Sequence, residues 1–124
     1  MNSVDIRSYA ILSSLIDQPR HGYAVLKQME ALFPLSKRPA VATMYATLER
    51  LESEGLVEIA SEEIVDGRAR RTFALTDHGR SGLEAEAERM ADAARVVKKQ
   101  LAASSRASLK PSRKPGVATR GALA

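Results

Sequence analysis

Residues 41–80 read VATMYATLERLESEGLVEIASEEIVDGRARRTFALTDHGR, and this stretch decides the fold. Val41, Met44, Tyr45, Leu48 and Leu51 recur at helical spacing, which predicts an amphipathic helix from about Ala40 to Glu54. Gly55 suits the C′ position, where a left-handed residue ends a helix without a Cβ penalty, and Leu56 at C″ is placed to cover Leu51 at C3. Leu56 to Ser61 then alternates as a strand, Asp66-Gly67 is a favoured turn pair, and Arg70 to Leu75 alternates again with Phe73 and Leu75 on one face. Thr76 suits an N-cap, and Asp77 suits the positive dipole end of a new helix.

Outward from this stretch the pattern is helical. A first helix is predicted over Val4–Ile16, with Ile6, Tyr9, Ala10, Leu12, Leu15 and Ile16 on its apolar side. Asp17-Gln18-Pro19 stops it, because proline lacks the amide and pushes its predecessor out of the α region. A second helix, about His21–Phe33, carries Val25, Leu26, Met29, Leu32 and Phe33, and Pro34 ends it. The loop Leu35 to Pro39 holds Lys37 and Arg38. The last helix is expected to reach about Ala103, and residues 104–124, rich in serine, alanine and bases, read as a disordered basic tail. The predicted class is therefore mainly α with a small β-hairpin: a winged helix-turn-helix domain over 1–76, a long C-terminal dimerisation helix over 77–103, and the tail.

The charge is unevenly placed. The chain of 124 residues has a net charge of +4, but Arg106, Lys110, Arg113, Lys114 and Arg120 give residues 104–124 a charge of +5, leaving the body at −1. With no cysteine, disulfides, thiolate metal sites and thiol nucleophiles are excluded. No apolar run approaches the roughly 20 residues that span a bilayer, and the start lacks a signal-peptide pattern, so a cytoplasmic location without membrane contact is expected. His21 and His78 have no companion ligands, and no serine sits in a nucleophile elbow. No metal, no cofactor and no enzymatic activity are expected.

What remains is recognition of nucleic acid. A recognition helix offers short or bidentate side chains to base edges while neighbouring loops offer cations to phosphates. Thr43, Ala46, Thr47 and Arg50 lie opposite the apolar stripe of the third predicted helix, and Lys37 and Arg38 precede it. Gly67, Arg68, Arg70 and Arg71 make a basic wing whose guanidiniums repel one another unless a polyanion faces them. Glu62, Glu63 and Asp66 are near enough to neutralise them instead, which leaves a solvated hairpin as the alternative.

Leu83, Ala87, Met90, Ala94, Val97 and Leu101 form a heptad seam in the last helix that calls for a partner helix, a second copy of the chain. Its charge order, acidic at Glu84, Glu86, Glu88 and Asp92 and basic at Arg95, Lys98 and Lys99, would match an antiparallel partner, with packing of the first helix into the seam as the alternative. The body's charge of −1 favours a competing class: a winged-helix interaction module that binds an acidic partner protein through the arginines.

Several short motifs stand in a specific order. They are His21-Gly22-Tyr23, Thr43-Met44-Tyr45 with Leu48, Leu51 and Glu52, Glu54-Gly55-Leu56, Gly67-Arg68-Ala69-Arg70-Arg71 with Phe73, and Leu75-Thr76-Asp77-His78-Gly79-Arg80. Together they resemble the PadR family of bacterial transcriptional regulators, in its short type with one C-terminal helix. The resemblance implies a homodimeric repressor on a palindromic double-stranded DNA operator, released by a small-molecule effector. It also implies that Thr43, Tyr45 and Arg50 lie on the recognition helix, with the Tyr45 hydroxyl available to a phosphate, and that Gly67, Arg68, Arg70 and Arg71 tip the wing. The chain departs from the pattern at Val41-Ala42, where Pro-Gly is usual, at Ala69 in place of proline and at Phe73 in place of tyrosine. It has no tryptophan, so the aromatic sandwich by which some short relatives hold planar drugs is not implied.

Overall fold

The structure, a computed structural model, describes residues 5–34 and 39–108. Its elements in chain order are α1 (Ile6–Ser13), β1 (Arg20–His21), α2 (Gly22–Leu32), α3 (Val41–Ser53), β2 (Val57–Val65), β3 (Arg68–Leu75) and α4 (Asp77–Ser108). The three strands form one antiparallel sheet in the order β1-β3-β2. Four helices with a small sheet are the expected winged-helix class. The described residues divide into two compact units, one up to Glu88 and one from Arg89.

Asp5 caps α1 by accepting the Ser8 amide at 2.7 Å. The helix ends at Ser13, earlier than the predicted Ile16. The hydroxyls of Ser13 and Ser14 donate back to the carbonyls of Tyr9 and Ile11 at 2.7 and 2.6 Å, competing with the helical ladder. Arg20 then donates to the Ser14 carbonyl while pairing with Asp17. The apolar side also differs from expectation. Ile11, Leu12 and Leu15 are buried, whereas Ile6 is 68% exposed in the first turn.

The break at Pro19 feeds directly into β1, a two-residue strand that pairs Arg20 with Phe73 and His21 with Thr72. Two residues are too few to show a period, and the sequence reading had no strand there. His21 also caps α2, its Nδ1 accepting the Ala24 amide at 3.4 Å.

The end of α3 is the one the sequence predicts. Gly55 has φ +79°, the Leu56 amide donates to the Leu51 carbonyl at 2.9 Å, and the Gly55 amide donates to Glu52 at 3.0 Å. Thr76 joins this end to the start of α4: its Oγ1 accepts the Gly79 amide at 2.9 Å and donates to the Gly55 carbonyl at 2.6 Å. Gly79 lies so close to Leu56 that a Cβ there would run into the Leu56 carbonyl oxygen. The glycine is thus required by the approach of two backbones.

The hairpin is longer than the alternation suggested. Pairing continues to Val65 opposite Arg68, with one irregularity between Ile59 and Ser61. Asp66 (φ 53°) and Gly67 (φ 78°) form the turn, both left-handed as a type I′ turn requires. Arg68 consequently lies within β3 with Arg70 and Arg71, ahead of the predicted strand start at Arg70.

The core gathers Ile11, Leu12, Val25, Leu26, Met44, Leu48, Leu51, Val57 and Phe73 from three helices and two strands. Burial of each such side chain contributes about 1.5–3 kcal/mol. Leu83 joins this core at 7% exposure. That corrects its place in the free seam: it lies within two turns of the Gly79 contact, where α4 is held against the body. Beyond it, Ala87, Met90, Ala94, Val97 and Leu101 are exposed. Helix α4 runs to Ser108, past the predicted end at Ala103 and into the region read as tail. The rest of that tail, 109–124, lies outside the described residues. Among the described residues no helix is long and apolar enough to cross a membrane.

Candidate nucleic-acid interface

Helix α3 buries Met44, Leu48 and Leu51 completely, and this fixes the faces of every other residue on it. Thr43 and Ala46 are exposed on the outward side, as expected. Thr47 is not: it is 8% exposed and its hydroxyl donates to the Thr43 carbonyl at 2.9 Å. At 100° per residue, position 47 stands about 40° from Leu51, so it borders the buried stripe rather than opposing it. The expectation that Thr47 faces outward is corrected, and its back-bonded hydroxyl has no free donor.

Arg50 is outward but occupied. One guanidinium nitrogen donates to the buried Ser8 hydroxyl at 2.7 Å, and the group pairs with Asp5 at 3.5 Å and Glu54 at 3.1 Å. Two carboxylates beside a guanidinium make a poor phosphate site, because an incoming anion meets both of them. The side chain instead ties α3 to the capped start of α1. Asp5 is correspondingly held below the usual carboxylate range, first by the Ser8 amide and also by the Ser8 hydroxyl and Arg50, against the opposing effect of its partial burial. The Glu54 partner at i+4 was visible in the sequence; the contact to α1, 42 residues away, was not.

Tyr45 is 42% exposed, and its phenol ring and hydroxyl lie where a Cβ on Gly22 would be. The glycine of the His-Gly-Tyr motif therefore seats the tyrosine of α3 against the first turn of α2. On that same helix Tyr23 is exposed and Lys27 holds its ammonium 5.6 Å from the Tyr23 ring centroid. The sequence reading singled out neither for DNA. The available signal was their i, i+4 spacing opposite buried Val25, Leu26 and Met29. Lys37 and Arg38, expected before α3, lie outside the described residues.

The wing differs from a free basic tip. Arg70 pairs with Glu63 at 2.8 Å and Arg71 with Glu62 at 3.3 Å, each across the strand register. Arg68 is exposed and makes no ion pair among the described residues. Gly67 has open space around it. Among the described residues no group of acidic and histidine side chains is suited to hold a metal.

The fold and the sequence have known relatives. A profile of the family described as transcriptional regulator PadR-like matches residues 11–85. A transcriptional regulator of Mycobacterium tuberculosis is 36% identical over 78 residues, which cover 63% of this chain and 59% of the relative. The chain thus spans little more than half the length of that relative. A crystal structure of a PadR family regulator from Clostridium difficile superposes with a TM-score of 0.66 at 25% identity, covering 78% of this chain and 99% of the other. Bacillus subtilis PadR, solved in complex with operator DNA, shares the fold with a TM-score of 0.54 at 23% identity over 61% of this chain and 42% of that one.

Proposed function

The chain belongs to the PadR-like family of transcriptional regulators, and on that premise we propose that it is a cytoplasmic, homodimeric repressor that recognises a palindromic DNA operator. The observation that carries the reading is the exposed face of α3, where Thr43 and Ala46 stand beyond a fully buried Met44–Leu48–Leu51 stripe. Short side chains on a rigidly packed helix can approach base edges in a major groove. Tyr45, Tyr23 and Lys27 supply polar and cationic groups beside that face, and Lys37, Arg38 and Arg68 of the wing are assigned to the phosphates.

Pairing of two such units is assigned to the exposed apolar stripe Met90, Ala94, Val97 and Leu101, with Ala87 at its near end. Apolar positions repeated every three or four residues on one helix face lose free energy in water and gain it against a second such helix. The domain scheme follows: a winged helix-turn-helix over 1–76, a dimerisation helix from 77 that extends to Ser108, and a basic tail after it. A small-molecule effector is assigned to the cleft of about 310 Å³ lined by Tyr9, Ser13, Ile16, Arg80, Leu83 and Glu84, where a ligand would touch α1 and the first turns of α4 together.

The purified protein should select from random DNA a two-fold symmetric site whose half-sites lie about 34 Å apart, one helical turn. Affinity should fall with salt by about 0.9 log units per phosphate contact per log unit of salt. Failure to enrich any sequence, or binding indifferent to salt, overturns the reading. So does loss of all DNA affinity once residues 104–124 are removed.

A further inference from the structure

The hairpin from Val57 to Leu75 carries Glu58, Glu62, Glu63 and Asp66 against Arg68, Arg70 and Arg71, a net charge of −1. A wing meant to grip a polyanion by charge alone would not be built this way. The register shows how the charges are used. Glu63 stands opposite Arg70 and Glu62 opposite Arg71, on alternate faces of the hairpin, and both pairs are closed at 2.8 and 3.3 Å. Val65, not a carboxylate, stands opposite Arg68.

From this arrangement, and resting on the DNA-binding reading above, we propose that Glu62 and Glu63 are built-in competitors of phosphate that hold Arg71 and Arg70 back, leaving Arg68 as the wing's contact to DNA. A phosphate that approaches Arg70 must displace the Glu63 carboxylate, which then remains next to it on the neighbouring strand. Like charges at that separation repel, so each contact is weakened on every duplex alike. Arg68, next to the turn and opposite an apolar residue, carries no such cost. The carboxylates thereby limit the sequence-independent attraction that would hold the protein on random DNA.

The test is binding of a random-sequence duplex by the full chain across a salt series. E62Q and E63Q should each tighten binding by about threefold and steepen the log–log salt slope by up to about 0.9, one added phosphate contact. E58Q, which removes the same charge opposite Ala74, should change neither. R68A should flatten the slope by about 0.9. The swap E63R with R70E keeps the cross-strand pair, and so the hairpin, and should leave affinity unchanged. The proposal is overturned if E62Q and E63Q behave as E58Q does, or if the swap weakens binding as much as R68A. If the folded wild-type protein and all variants ignore duplex DNA at low salt, the DNA-binding reading itself fails and takes this inference with it.

Discussion

The stretch of α4 up to Glu88 and the stretch beyond it carry one apolar stripe with two different fates. Leu83 is buried in its own chain and Gly79 is pressed against the Leu56 carbonyl, whereas Val97 is 56% and Leu101 63% exposed. The heptad spacing is the same in both stretches, so spacing alone does not say what a stripe packs against. The near end is consumed by the fold of the chain itself, and only the far end remains exposed, which is the part assigned above to a second copy.

This contrast can be broken most severely at Gly79. Gly79→Ala forces a Cβ onto the Leu56 carbonyl and should cost about 3 kcal/mol or more, read as a lower urea midpoint at every protein concentration. Leu83→Ala should cost about 2–3 kcal/mol in the same concentration-independent way, because it empties a core position. A loss of Leu83→Ala sensitivity on dilution would place Leu83 in the intermolecular seam instead.

Arg50→Ala should cost about 1 kcal/mol, since it leaves the buried Ser8 hydroxyl without its donor while removing half-exposed ion pairs of little worth. Its operator preference should stay close to wild type, measured on a panel of single-base operator variants. Relaxed preference at one base position would return Arg50 to the DNA interface. Val97→Glu with Leu101→Glu should change protomer stability by less than about 0.5 kcal/mol yet abolish the concentration dependence of the midpoint. Sedimentation should then give a monomer, and a dimer surviving both charges would break the assignment of the far stripe.

The smallest effect is set by pH. Asp5 is held below its ordinary range by the Ser8 amide above all, and Asp17 by hydrogen bonds from Arg20. Both are depressed in the folded state, so the stability they contribute is full above the unfolded value of about pH 4 and is lost as pH falls through the lower folded values. Asp5→Asn should flatten the acid limb of stability against pH, measured by urea titration between neutral pH and about pH 3.

Much of the fold was legible because local chemistry marked it. The Gly55–Leu56 helix end, the Asp66-Gly67 turn and the Thr76 cap each depend on residues within a few positions of one another, and each is present. The candidate site was legible only in part. Thr43 and Ala46 were placed correctly by periodicity, but Thr47 sits at the edge of the stripe, where a few tens of degrees decide between solvent and core. Arg50 faces outward as its spacing predicts, but nothing near it in sequence marks its partners Asp5 and Ser8. The wing arginines were read as either free or neutralised, and the choice depended on strand register.

By itself, then, the sequence determined the kind and order of the elements: an amphipathic α3 with a firm end, a tight hairpin, and a long helix with an apolar stripe. Those follow from backbone preference and the periods of helix and strand, which are local. Tertiary structure alone decided which side chains remain available. Arg50 is bound to α1, Arg70 and Arg71 are bound to carboxylates across the register, and Leu83 belongs to the core while Leu101 does not. The reason is physical: a charge or an apolar face is free only until another part of the chain reaches it, and that reach is set by packing in three dimensions.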